Sequence, residues 1–140
     1  MLRLNTQLFC FFAAGMIVCS SEVAEANSSI KCAGRKVPFQ LHGRVIGNFT
    51  PFTKCGSITY FARREISREE FINIRQEPSS RSEIVGRMRD GDVEAPRFFE
   101  STGFITLGNG SRWIKGKTVG IFADGTQGWV HESQLIPMDN

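Results

Sequence analysis

The sequence predicts an all-β protein, a small barrel or sandwich, and three observations carry that expectation. Apolar and polar residues alternate with period two, most clearly where Ile72 and Ile74 interleave with Asn73 and Arg75. Turn signals recur at close spacing, at Asp90-Gly91, Gly108-Asn109-Gly110 and Asp124-Gly125. Elsewhere glycine and proline interrupt the chain too often for helices of ordinary length.

The 140 residues leave room for one compact domain plus a short extension. Residues 1–26 read as a secretory signal peptide. Arg3 supplies the positive start, residues 8–18 are apolar or small, and Ala24-Glu25-Ala26 offers the small side chains a signal peptidase pocket accepts. Cleavage is expected after Ala26. A lipid anchor on Cys19 is the lesser alternative, because Val18 stands where a small residue is wanted. The mature chain then carries no integral membrane segment and is expected to be periplasmic or secreted. It keeps Cys32 and Cys55, and an isolated pair in an oxidising compartment is expected to close a disulfide.

Residues 27–65 form an amino-terminal extension around that disulfide, with short strands at 36–41 and 57–62. Gly43, Gly47, Pro51 and Gly56 punctuate the stretch between them. Residues 63–70 are charge-dense, a linker or a single helical turn. From Phe71 the strands follow quickly, at 71–75, 83–88, 92–99, 104–107, 113–114, 118–122 and 128–130, with a 3₁₀ turn near 132–135.

Phe71-Ile72-Asn73-Ile74-Arg75, followed by Pro78-Ser79, resembles the opening strand of bacterial SH3 domains. Residues 83–91 resemble that family's second strand and turn. Trp113 stands at a strand start where the family places a tryptophan. Asp124-Gly125-Thr126-Gln127-Gly128-Trp129-Val130-His131 resembles its closing signature, and Ser133-Gln134-Leu135 its last turn. The resemblance covers 71–136 and implies an SH3-like barrel within 66–140. The chain is longer than the family pattern between Asp92 and Trp113, where 104–109 read as an inserted hairpin arm, and again across 115–122. Ile72, Ile74, Ile84, Val85, Met88, Val93, Ile114 and Val130 are the expected core. Phe98, Phe99 and Phe104 exceed what so small a barrel can bury, so they should cover 27–65, a neighbour or a ligand.

The resemblance further implies a bacterial, non-catalytic binding module for cell-wall (peptidoglycan) peptides or an envelope protein. The expected groove lies beside 76–82, with Arg75 and Glu77 at its polar ends and Trp113, Phe98 or Phe99 for stacking. The alternative is a structural or assembly subunit of an envelope complex, or a secreted factor acting on a host. Other classes find little support. His42 and His131 stand far apart in sequence, no Gly-x-Ser-x-Gly elbow exists, and neither an enzyme nor a cofactor is expected. Asp90, Asp92 and Glu94 are too few oxygens for a calcium loop, so no metal is expected. The net charge of +3 is spread along the chain, which does not point to nucleic acid. Asn27, Asn48 and Asn109 begin glycosylation triplets, meaningful only in a eukaryotic secretory pathway.

Overall fold

Period-two patterning becomes strand along most of the chain. The structure is a computed structural model describing residues 9–13, 16–20, 31–62, 71–88, 98–121 and 123–138. Its strands are β1 (Phe9–Ala13), β2 (Met16–Ser20), β3 (Val37–Leu41), β4 (Arg44–Pro51), β5 (Ile58–Ala62), β6 (Ile72–Arg75), β7 (Ile84–Met88), β8 (Phe98–Leu107), β9 (Arg112–Val119), β10 (Gln127–His131) and β11 (Leu135–Pro137). A 3₁₀ turn, Glu132–Gln134, separates the last two. The fold is all-β and its strand pairs are antiparallel. β1 and β2 pair only with each other; the expected cleavage after Ala26 lies outside the described residues. The remaining nine strands form one sheet in the order β11-β5-β8-β9-β10-β6-β7, with β4 also on β8 and β3 on β4.

The organising strand is β8. One edge pairs with β9 along almost its whole length. The other edge is shared: β4 takes Gly103 to Leu107, and β5 takes Phe98 to Ser101. Phe52 N–H donates to the Thr102 carbonyl at 2.8 Å, and Ile58 lies opposite Ser101. β4 and β5 are thus one interrupted partner of β8, with 53–57 looped out. The expected hairpin arm at 104–109 is the end of the β8–β9 hairpin, and β4 flanks it along 103–107. The described part of the amino-terminal extension, 31–62, shares a ladder with the rest of the sheet through β4 and β5.

A bulge between Ser101 and Gly103 explains how β8 serves two faces. One extra residue reverses the alternation, so Phe99 and Phe104 lie in the same core although five positions apart. Ile105 then faces the opposite side. Ser101 holds the kink: its hydroxyl lies 2.7 Å from the Lys115 carbonyl and accepts the Gly103 N–H at 3.1 Å.

The main core joins Ile72, Ile74 and Met88 of β6 and β7 to Phe99, Phe104, Ile114, Val130 and Leu135. It also takes in Phe52, Ile58, Tyr60, Ala62 and Cys32 from the amino-terminal part. Of the expected core residues, Ile84 and Val85 are each 38 % exposed instead. Pairing shifts between Ile74–Gly86 and Arg75–Ile84, so Ile84 and Val85 together oppose Arg75 on a bulged strand, and neither is carried inward. Val93 lies outside the described residues.

The looped-out stretch carries Cys55, which is disulfide-bonded to Cys32 with the two Cα atoms 5.1 Å apart. The bridge ties the approach to β3 onto the interruption between β4 and β5. Gly34 N–H donating to the Pro51 carbonyl at 2.7 Å reinforces the same junction. Nearby, the Tyr60 hydroxyl is buried with no hydrogen-bond partner among the described residues. Burial pushes this phenol well above its ordinary value, Glu132 adds to the rise, and Arg112 opposes it.

Two outcomes follow. Replacing both Cys32 and Cys55 by alanine should lower stability by about 3 kcal/mol in urea unfolding, from the loop the bridge closes; an unchanged midpoint would show that the staple constrains nothing. Tyr60 is the single tyrosine, so phenolate absorbance during alkaline titration reports it alone. The unfolded chain ionises near 10.0 while the folded chain resists. Stability is therefore fully present below that pH and falls as pH rises beyond it. Phenolate should form together with unfolding, whereas ionisation near 10.0 in a folded protein would place the ring in contact with water.

Candidate functional site

The outer face of β9 and β10 is where the sheet is both covered and opened. Trp113 and Trp129 point there with Ile105, away from the main core. The hairpin of β3 and β4 folds across part of this face. His42 at φ 50° and Gly43 at φ 77° form the two-residue turn joining Leu41 to Arg44, the left-handed pair a tight hairpin demands. Phe39 and Phe49 then meet Trp129 edge-on, with ring centroids 5.4 and 6.4 Å away. Gly103 makes the approach possible, since a Cβ there would stand 2.5 Å from the Phe49 ring and 2.6 Å from the Thr50 carbonyl. Lys115 places its ammonium over the same rings, 5.7 Å from Trp129 and 6.0 Å from Phe49.

Beyond the hairpin's cover the face opens into a pocket of about 190 Å³. Asn73 and Arg75 come from β6, Trp113 from β9 and His131 from β10. Ser80 is contributed by the loop after β6, and Ser133 and Gln134 by the 3₁₀ turn. Antiparallel register brings these strands together: Trp129 pairs with Arg75, and His131 with Trp113. Two steps from the Trp129–Arg75 pair, His131 and Asn73 reach the same pocket.

Each wall has a local cause. Arg75 donates from Nη1 to the Ser82 carbonyl at 2.8 Å, which stretches the guanidinium across the base of the loop. The loop is closed by Gln76 N–H on the Glu83 carbonyl, Ser82 N–H on the Ser79 carbonyl and Glu77 N–H on the Ser82 hydroxyl. His131 stands edge-on to Trp113, ring centroids 5.1 Å apart and planes at 90°. Its Nδ1 accepts the Ser133 backbone N–H at 3.3 Å and lies 2.7 Å from the Ser133 hydroxyl. A backbone N–H can only donate, so the neutral ring carries its proton on Nε2. A serine held by an imidazole is also how nucleophiles are activated. Here the serine's own backbone shares Nδ1, and the contact closes a cap on the 3₁₀ turn.

Of the residues singled out from sequence, Arg75 and Trp113 are brought together. Glu77 is not with them: its carboxylate lies 2.8 Å from His42 Nε2, which fastens the loop to the tip of the β3–β4 hairpin. Phe98 and Phe99 lie opposite Val119 and Thr118, while Trp113 lies opposite Ile105. Five residues of strand, roughly 16 Å, separate Thr118 from Trp113. Phe99 is 0 % exposed and Phe104 5 %, so these rings are core and Phe99 offers no stacking surface. The aromatic excess is absorbed within the fold, Phe104 against Phe52 at 5.8 Å. Phe99 and Phe104 thereby cover the amino-terminal part as expected, in one core with Phe52, Ile58 and Tyr60, while Trp129 meets the β3–β4 hairpin. Trp113 is itself only 7 % exposed and leaves little ring surface for stacking.

Sequence reasoning passed over Asn73, Ser80, His131, Ser133 and Gln134. Asn73 was available from the alternation that turned Arg75 outward. His131 needed the β9–β10 register, which the Asp124-Gly125 turn only hints at. That turn is held by the Asp124 carboxylate, which accepts from the Thr126 hydroxyl and backbone N–H and from the Thr118 hydroxyl; those bonds hold its carboxyl below the usual range.

A second depression of about 220 Å³ is lined by Glu100, Thr102, Lys115, Gly116, Lys117 and Gln127. Its charges are already answered within the protein, Lys117 by Glu100 at 3.8 Å and Lys115 by the aromatic rings. Among the described residues no three His, Cys, Asp or Glu side chains are placed to hold a metal ion, and no helix is long and apolar enough to cross a membrane. Comparison with protein-family models, with curated proteins and with solved structures finds no match for the chain.

Proposed function

We propose that the chain is an exported, non-catalytic binding module of bacterial SH3 type that docks a peptide of the cell wall, or of an envelope protein, at the Arg75–Trp113 pocket. The observation that carries this reading is the convergence of Arg75 and Trp113 with Asn73, Ser80 and His131, drawn from four separate parts of the chain into one polar recess with an aromatic edge. Such recesses, a few hydrogen-bonding groups against aromatic rings, are how small β modules hold peptides. Export is supported by the Cys32–Cys55 disulfide, a bond favoured in oxidising compartments. A binding role without catalysis is supported by the part His131 and Ser133 already play in capping the turn.

The test is retention on purified peptidoglycan, compared between the wild type and Arg75→Gln, with thermal melts confirming that both are folded. Arg75 is the better handle than Trp113, whose truncation would open the aromatic cluster. Wild-type retention that drops roughly tenfold in the variant is expected, on the scale of one charge-assisted contact. Failure of the wild type to bind across pH and salt would remove the cell-wall partner. Equal retention of both proteins would move binding away from this pocket.

A further inference from the structure

We propose that the pocket is a carboxylate receptor, and that it takes the carboxylate-bearing end of a peptide chain instead of a chain running through. The inference rests on the docking reading above and names its ligand chemistry. Its basis is the polarity of the walls. Arg75 carries a full positive charge, and among the described residues one of its donors is committed, to the Ser82 carbonyl; guanidinium has five. His131 presents Nε2–H, since Nδ1 is occupied by Ser133. Asn73 and Gln134 add amide donors and Ser80 a hydroxyl. Among the described residues no Asp or Glu lines the recess.

The carboxylates nearest in sequence are held elsewhere. Glu77 is 2.8 Å from His42, and Glu132 is 3.4 Å from Arg112. Among the described residues Arg75 therefore meets no carboxylate, and its charge is left facing the cavity. A cationic ligand would be repelled there, and a neutral one would leave the guanidinium without a counter-charge. The single charge also sets the valence: one guanidinium with neutral donors matches a monoanion, and the planar fork suits carboxylate geometry. Size sets the rest. At about 190 Å³ the recess falls below the range of pockets that enclose drug-sized molecules, roughly 300 to 1,000 Å³, and admits a chain end. A terminal α-carboxylate and a glutamate side chain share this chemistry, and the experiment separates them.

The experiment is a two-dimensional NMR titration of the intact mature protein with three defined probes: acetyl-Gly-Ala-Ala-Ala as the free acid, the same peptide as its C-terminal amide, and acetyl-Ala-Glu-Ala amide. The free acid should shift the amides of Asn73, Arg75, His131 and Ser133, with affinity roughly tenfold above that of the amide. Arg75→Gln should remove that preference and Arg75→Lys restore part of it. Asn73→Ala, which leaves the loop contacts of Arg75 in place, should weaken acid binding without abolishing the preference. Equal binding by the glutamate peptide would uphold the carboxylate and reassign its source to a side chain. Shifts at the same residues that are as strong with the amide as with the acid would overturn the carboxylate proposal while leaving docking at this pocket standing. Perturbation confined to residues outside the recess would overturn both.

Discussion

Phe49 reaches Trp129 across a position where β8 has no side chain, and most of the architecture depends on that contact. Gly103 leaves the space, the Ser101 bulge sets the strand's pleat, and β4 lies close enough along β8 for the ring to lean over. Phe39 arrives from the next strand to complete the cover. The consequence is a sheet with apolar contacts on both faces. One face closes around Ile74, Phe99, Ile114 and Val130, and the other is sealed locally by an aromatic cluster. A small β domain has little interior to spare, so burial on both faces raises the apolar area removed from water per residue.

That same cover defines the recess. The β3–β4 hairpin stops short of Asn73 and His131, and its tip is fastened by His42 to Glu77 on the far side of the loop. The outer face is thereby divided. The part over Trp129 is sealed by rings, and the part beside Trp113 stays open and polar. His131 marks the boundary, standing on the indole with one edge and capping the 3₁₀ turn with the other. Loop, turn and strand are each held by their own backbone or capping bonds, so the recess is formed before anything enters it, which limits the ordering a ligand must impose.

How far the sequence disclosed this follows from the range of each interaction. The strands β6, β7 and β10 were legible because alternation and glycine turns are local signals, whereas β9 reads from sequence as two pieces, 113–114 and 118–122, and is one strand. The disulfide was legible because Cys32 and Cys55 are the two cysteines beyond residue 26. β4 was hidden by Gly47 and Pro51, which read as loop punctuation; Gly47 is there because the Thr106 backbone crowds it, a reason visible only once β8 is alongside. The bulges at Ser101 and at Ile84–Val85 were invisible for the same reason, and the second misplaced two expected core residues. Two outcomes are open to the surplus aromatics in the sequence, a groove and the amino-terminal part, and Phe99 takes the second, in one core with Phe52, Ile58 and Tyr60. Arg75 and Trp113 line one pocket, and each was legible singly because strand polarity and position at a strand start are properties of the residues themselves.

The central claim is that the amino-terminal hairpin and the carboxy-terminal strands are one cooperative unit joined through β8 and the Phe49–Trp129 contact. Native-state hydrogen exchange on the intact, oxidised protein tests it most directly. The account predicts that the amides of β4 at Phe49 and Thr50 exchange with the same opening free energy, and the same denaturant dependence, as those of β8 and β9. Exchange of the β4 amides through a small, denaturant-insensitive opening, while β8 to β10 stay protected up to global unfolding, would contradict it.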